Sequence, residues 1–195
     1  MICCIVRHGR DDETIRGGWS QHPLTEEGHI QAEKLAAYLA RECEGLAIRH
    51  IYSSDLRRAM ETAEPIAAAL RLTVNPVADF REVNNGVLAG MKNDLANIRY
   101  PGLFWNRMAW DQRYPGGESP REFYERIKTA WDAFQKEISE KGENVLLVTH
   151  GGVINVIRHL IRQEPYSNQN HSYPMKNGEM IILKFENGGW NEISE

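Results

Sequence analysis

Two short stretches of this chain end in the same way, and that constrains the fold more than any other feature. Ile2-Cys3-Cys4-Ile5-Val6 is continuously apolar and stops at Arg7-His8-Gly9. Val145-Leu146-Leu147-Val148-Thr149 reads as another buried strand and stops at His150-Gly151-Gly152. Apolar runs without alternation are strands covered on both faces, the kind a parallel sheet needs. In open α/β sheets, sites form where strands give out at their carboxyl ends. A glycine there lets the backbone turn sharply or approach a ligand closely. An imidazole beside a guanidinium suits an anionic substrate and nucleophilic or acid–base work. Either tripeptide alone reads as a polar strand-to-loop turn; the second copy makes coincidence a poor explanation. The likeness is local, with no internal repeat, linker or low-complexity segment elsewhere.

Between these strands the chain alternates. Thr25 reads as the N-cap of a helix with Glu26 and Glu27 in its first turn, where carboxylates suit the dipole. Ala32, Leu35, Ala36, Leu39, Ala40 and Cys43 recur on one face, and the helix is expected to end near Gly45. Ile48 to Tyr52 reads as a strand, followed by the N-cap candidates Ser53-Ser54-Asp55. Leu56, Ala59, Met60, Ala63, Ile66, Ala67 and Leu70 form the next stripe, in which Pro65 predicts a kink or break. Arg57 and Arg58 fall in that helix's first turn, an unfavourable place for a cation. Solvation accounts for either, but an anion site accounts better for at least one. Leu72 to Val77 is a weaker strand interrupted by Asn75-Pro76. Residues 91–118 show no clean period and crowd Tyr100, Phe104, Trp105, Trp110 and Tyr114 together. They read either as a lid or specificity insert or as an irregular excursion whose aromatics fill core. Ser119-Pro120-Arg121-Glu122 is a capping box with proline at N1. The helix it opens is expected to end at Gly142. An apolar helix follows His150, and residues 164–179 read as polar loop. Met180 to Phe185 and Trp190 to Ile193, joined through Asn187-Gly188-Gly189, read as a terminal hairpin. The expectation is an α/β chain: one domain over residues 1–195, a three-layer α/β/α sandwich with a mostly parallel central sheet.

Composition narrows the classes. The apolar and charged fractions, 42% and 26%, are those of an ordinary globular protein. With a formal net charge of −4 and no basic run, neither nucleic acid nor an anionic membrane surface is an expected partner. An anionic substrate must then be drawn by local arginines. Cys3, Cys4 and Cys43 form neither a disulfide framework nor a metal spacing. Reduced cysteines, no room for a secretory apolar region before Arg7 and no run of membrane-spanning length predict a cytoplasmic protein.

The residues at or just after strand ends are Arg7, His8, Arg58, Glu82 and His150. Two arginines and two histidines converging on one pocket would bind a dianionic tetrahedral group, and the amides opening the helix at Gly151 would add to it. A neutral imidazole can attack phosphorus, and a carboxylic acid can protonate the departing oxygen. The match is wider than these five. Arg7-His8-Gly9, Arg16 with Gly18-Trp19, Leu24-Thr25-Glu26-Glu27-Gly28, Ser53-Ser54-Asp55-Leu56-Arg57-Arg58-Ala59 with Thr62, Glu82 with Gly86, Leu88 and Gly90, Pro115-Gly116-Gly117-Glu118-Ser119 and Thr149-His150-Gly151-Gly152 follow in order. In this the chain resembles the histidine phosphatase superfamily, also called phosphoglycerate mutase-like, over nearly its whole length.

The resemblance implies a phosphoglycerate mutase-like α/β sandwich acting on a small phosphorylated metabolite without metal or other cofactor. It implies that His8 is the nucleophile that becomes phosphohistidine. Arg7, Arg58 and His150 are then the phosphate pocket, and Glu82 the proton donor and later the base. Arg58, rather than Arg57, falls on the family's second arginine because of its spacing to Ala59 and Thr62. The loop after Gly9 departs from the family, with Arg10, Asp11 and Asp12, and with Thr14 where an asparagine contact to phosphate usually falls. Val83-Asn84-Asn85 follows Glu82 where mutases have Arg-His-Tyr, and Gly152 stands where mutases commonly have asparagine. These departures favour phosphomonoester hydrolysis over mutase transfer. Asp11, Asp12 and Glu13 read as a solvated acidic loop. A metal-dependent hydrolase using them with His8, and a non-catalytic phosphate-binding module, remain as competing readings.

Overall fold

A computed structural model describes residues 1–170 and 172–193, with the side chains of residues 42–44 outside the description. Six strands form one sheet: β1 (Ile2–Arg7), β2 (Ile48–Ser53), β3 (Val74–Pro76), β4 (Asn144–Thr149), β5 (Met180–Glu186) and β6 (Gly189–Ile193). Their order is β3-β2-β4-β1-β5-β6. β3, β2, β4 and β1 run parallel, and the terminal hairpin β5–β6 adds antiparallel strands beside β1. Asn187 and Gly188 take positive φ (54° and 81°) at the hairpin turn, as a tight turn of matching twist requires. Pro76 sits in the edge strand β3, where its missing N–H disturbs no inner ladder.

Helices α1 (Glu26–Leu46) and α2 (Arg57–Leu70) cover one face. There Ala36, Leu39, Ala63 and Ile66 pack on Cys4, Val6, Ile51 and Val148. The longer helices α4 (Pro120–Lys141) and α5 (Gly151–Arg162) cover the other, where Phe123, Trp131 and Ile154 meet Cys3, Ile5 and Leu147. The two adjacent cysteines thus serve opposite cores, as the period of two along a strand requires. Burial raises the Cys3 thiol well above its ordinary pKa, as befits a core residue. This is the three-layer sandwich. Among the described residues no helix is long and apolar enough to cross a membrane.

Local signals fare unevenly. The capping box is complete: the Ser119 hydroxyl accepts from the Glu122 N–H, and the Glu122 carboxylate accepts from the Ser119 N–H. Gly142 caps α4 in the left-handed region. Thr25 Oγ1 accepts from Gly28 N at 3.2 Å before α1. Cys43 lies outside the described side chains. The break expected at Pro65 does not occur, and α2 is continuous across it. One absent backbone hydrogen bond is outweighed by a stripe in which Ala59, Thr62, Ala63 and Ile66 are fully buried. The caps expected from Ser53-Ser54-Asp55 are not made either; α2 begins after Leu56 without a side-chain cap.

Residues 91–118 contain a two-turn helix α3 (Asn93–Arg99) and a single 3-10 turn at Trp105–Arg107. Such short elements leave no period to read. Leu88, Ala96, Met108 and Tyr114 build a small third core there, flanked by Tyr100 and Trp105. Of the aromatics of this stretch, Tyr114 fills core with Tyr100 and Trp105 packed against it, while Trp105 also lines the main cavity.

Candidate active site

Register brings the two His-Gly turns together. Arg7 pairs with Thr149 across β1 and β4, and His8 N donates to Thr149 O at 2.9 Å. The next residues, His8 and His150, leave neighbouring strands side by side with ring centroids 5.1 Å apart. Across β2 and β4, Ser53 pairs with Val148, so Ser54 arrives beside His150. Three parallel strands end level and deliver the polar groups to one point.

Each side chain there has a defined state. His8 Nδ1 lies 2.6 Å from the carbonyl oxygen of Gly9. A carbonyl only accepts, so Nδ1 carries the proton and Nε2 the lone pair. Arg58 Nε donates to that Nε2 at 3.2 Å. Burial above all, then the charges of Arg58 and Arg7, hold the His8 pKa well below its ordinary value. His8 is a neutral imidazole with its Nε2 electron pair in place. His150 Nε2 is 2.8 Å from Ser54 Oγ, which also accepts from Leu56 N. Ser54 is fully buried, so its hydroxyl proton is best satisfied on His150 Nε2. That assigns the His150 proton to Nδ1, an atom with no protein partner. Burial and nearby Arg58 keep His150 neutral as well.

The guanidinium of Arg58 is buried, and its other donors go to the carbonyls of Gly18 (2.8 Å) and Ser20 (3.2 Å). Asp11 lies 3.4 Å from Arg58 Nε. The acidic cluster therefore splits, contrary to its reading as uniformly solvated loop: Asp12 and Glu13 are exposed, and Asp11 is the counter-ion of a buried arginine. Arg57 points to solvent and pairs with Glu61 at 2.7 Å. The Arg7 guanidinium donates to the carbonyl of Met175, and its Nε is a buried donor without a protein partner.

Glu82 follows a 3-10 turn at Ala78–Phe80. That turn is anchored to the strand ends by Thr149 Oγ1 donating to Phe80 O at 2.8 Å. The Glu82 carbonyl accepts from Trp19 Nε1 (2.7 Å) and Arg126 (3.1 Å). Arg126 is held in turn by both oxygens of Glu118, at 2.6 and 3.0 Å. Neighbouring Arg81 is clamped by both oxygens of Asp55, which explains why Asp55 caps no helix. So fixed, the Glu82 carboxylate accepts from the N–H of Gly152 and of Val83, both at 3.0 Å. A Cβ at position 152 would collide with that carboxylate, so the glycine is needed for the close approach.

Arg7, His8, Glu82, Gly151 and Gly152 line one cavity of about 330 Å³, at the small end of the roughly 300–1,000 Å³ typical of small-molecule sites. Arg58 and His150 stand against His8, both almost wholly buried. Thr14 is not brought to the cavity. Its hydroxyl donates to Asp12 at 2.7 Å, and it lines a separate depression with Arg10 and Glu27. Among the described residues, no group of three or more His, Cys, Asp or Glu side chains is placed to hold a metal ion. Sequence reasoning did not find Ser54, Asp11 or Arg126 in these roles, nor Asn155, Tyr166 and Asn168 on the cavity wall. Short-range spacing links none of them to the His-Gly turns.

The two arginines separate in function by their surroundings. Alanine at Arg58 removes the donor to His8 Nε2 and leaves Asp11 unpaired, whereas alanine at Arg57 removes an exposed pair. We expect Arg58→Ala to lower kcat/KM on order of a hundredfold, roughly 3 kcal/mol of barrier, and Arg57→Ala to change it less than threefold. Steady-state kinetics of the two variants checks this, and equal losses would contradict the assignment.

A profile of the histidine phosphatase superfamily (branch 1) matches residues 3–194. The chain belongs to this superfamily. It is 37% identical to phosphoglycerate mutase-like protein 4 of Arabidopsis thaliana over 77% of this chain and 66% of that protein. It is 36% identical to a protein of Salmonella choleraesuis named probable phosphoglycerate mutase GpmB, over 75% of this chain and 68% of the other. The chain thus spans about two thirds of the length of these curated relatives. Among solved structures, a mycobacterial glucosyl-3-phosphoglycerate phosphatase superposes with a TM-score of 0.78 at 26% identity, covering 98% of this chain and 96% of that one. An α-ribazole phosphatase from Shigella flexneri shares the fold, with a TM-score of 0.80 at 20% identity over 99% of this chain and 95% of the other.

Proposed function

We propose that this superfamily member is a metal-independent phosphomonoester hydrolase that works through a phosphohistidine on a small phosphorylated metabolite. The observation that carries the reading is the state of His8, a neutral imidazole on the wall of a cavity it shares with a carboxyl group, its Nε2 unprotonated and met by the Arg58 guanidinium. In the first step Nε2 bonds to phosphorus and the P–O ester bond breaks. The departing oxygen takes the electron pair and a proton from Glu82. In the second, Glu82 removes a proton from water as its oxygen attacks phosphorus and the P–N bond breaks, returning His8. Arg7 Nε and His150 Nδ1, two buried donors without protein partners, suit the non-bridging oxygens. Arg58 and the amides opening α5 add charge stabilisation over the same oxygens.

The names of the curated relatives favour a second reading, phosphoryl transfer between positions of a phosphoglycerate. Gly152 and the Val83-Asn84-Asn85 run weigh toward hydrolysis. The test is rapid alkaline quench after mixing enzyme with labelled phosphomonoester. Hydrolysis through His8 predicts an acid-labile, base-stable phosphoenzyme formed within one turnover, with inorganic phosphate as the end product. Interconversion of 2- and 3-phosphoglycerate without phosphate release would support the mutase reading instead, and phosphate release with no trapped intermediate would contradict both.

A further inference from the structure

Most of the cavity wall is uncharged. Arg7 and Glu82 are the formally charged residues among those described on it, Arg7 held by the Met175 carbonyl and Glu82 by the Gly152 N–H. The rest of the wall is Val83, Trp105, Asn155, Tyr166, Asn168 and Asn170. The hydrogen bonds these residues already make fix what each has left to give. Asn168 donates both amide hydrogens, to Trp105 O (2.7 Å) and Met108 O (2.9 Å), so its oxygen remains as an acceptor. Asn155 Oδ1 accepts from Tyr173 N at 3.3 Å, so its amino group remains as a donor. Tyr166 adds a phenol hydroxyl, which can donate as well as accept. The Tyr166 ring is pinned by stacking on Tyr124 with centroids 5.4 Å apart. The Trp105 ring lies parallel to Tyr114 at 6.4 Å. Arg126, which also contacts the Glu82 carbonyl, is committed to Glu118.

Resting on the phosphatase reading above, we propose that the leaving alcohol of the substrate is an uncharged, polyhydroxylated group of sugar or polyol size. Asn155, Tyr166 and Asn168 select it by hydrogen bonds, with the polarity of the two asparagines already set, and Trp105 covers its apolar side. Hydroxyl groups both donate and accept, so they satisfy this mixed set. A carboxylate or second phosphate would be desolvated near the Glu82 carboxyl with no cation besides Arg7 among the described wall residues to meet it, which is strongly unfavourable.

Matched pairs test this: glycerol 3-phosphate against 3-phosphoglycerate, and glucose 6-phosphate against 6-phosphogluconate, with p-nitrophenyl phosphate as reference. The expected result is a kcat/KM at least tenfold higher for the neutral member of each pair. In Tyr166→Phe, the KM for the preferred neutral ester should rise several-fold while kcat stays within about twofold. An equal or higher kcat/KM for the anionic members, with p-nitrophenyl phosphate still turned over, overturns this inference and leaves the phosphatase reading standing. No turnover and no phosphoenzyme from p-nitrophenyl phosphate overturns that reading and this one together.

Discussion

His8→Ala is expected to abolish turnover and phosphoenzyme formation, with at least a ten-thousandfold fall in kcat, while the protein stays folded. In the proposed mechanism His8 carries the whole reaction, since no other described side chain on the cavity wall offers an unprotonated imidazole nitrogen. The fold survives because His8 follows the end of β1 and the sandwich is held by the apolar faces of Cys3 to Val6 on both sides. Rapid quench with labelled substrate and circular dichroism make the comparison, and residual phosphate transfer at the wild-type rate would assign the nucleophile elsewhere. The same variant has a pH signature. His8 and His150 are held neutral when folded, with pKa values depressed below the ordinary 6.5. The unfolded chain binds those protons more readily, so their contribution to stability is present above about pH 6.5 and is lost as pH falls through the folded values. Thermal melts of the wild type should therefore decline below pH 6.5, and His8→Ala should decline less steeply.

Glu82→Gln should divide substrates by their leaving group. An alkoxide from glycerol or a sugar departs only with a proton, whereas p-nitrophenolate hardly needs one. The variant keeps shape and volume but cannot supply that proton. Phosphoenzyme formation from alkyl phosphates should fall on the order of a thousandfold, and from p-nitrophenyl phosphate by less than about tenfold. Dephosphorylation should slow for both, because glutamine cannot act as the base for water. Single-turnover kinetics separates the two steps. An equal loss in the first step on both substrates would remove Glu82 as the acid. Glu118 is poorly placed to replace it, being spent on Arg126 and on the Asn84 N–H.

Legibility of the site from sequence tracked how locally each residue is determined. Arg7, His8 and His150 sit at the ends of strong apolar runs, and two buried parallel strands bring such ends together whatever the rest of the chain does. Arg58 was separable from Arg57 only through the resemblance, since both share one turn of α2; geometry explains the difference, with one guanidinium buried against His8 and the other in solvent. Glu82 follows a short 3-10 turn in an aperiodic stretch, and four contacts from distant parts of the chain hold its backbone and carboxylate: Trp19, Arg126, Gly152 and, through Phe80, Thr149. No short window contains that information. Ser54 and Asp55 read as helix caps because their spacing permits it, yet His150 and Arg81 are the better partners that folding supplies. Pro65 failed as a breaker because burial of the opposite stripe outweighed one hydrogen bond. Thr14 shows the limit of positional matching: the register put it at a contact position, but its hydroxyl is turned onto Asp12.

The place of β1 in the sheet has a consequence for how activity is acquired. This strand is the first of the six in the chain, yet both of its neighbours, β4 and β5, come from the last third. During synthesis it must wait, apolar and unpaired, until β4 is complete at residue 149, and its other edge stays open until β5 follows beyond residue 180, high-contact-order steps that are intrinsically slow. His8 and His150 become neighbours only when β4 docks beside β1. A chain stalled or cut before β4 can bury α1 against α2 but holds His8 without its partner imidazole. Turnover by a growing chain is thus an all-or-nothing report that β4 has arrived.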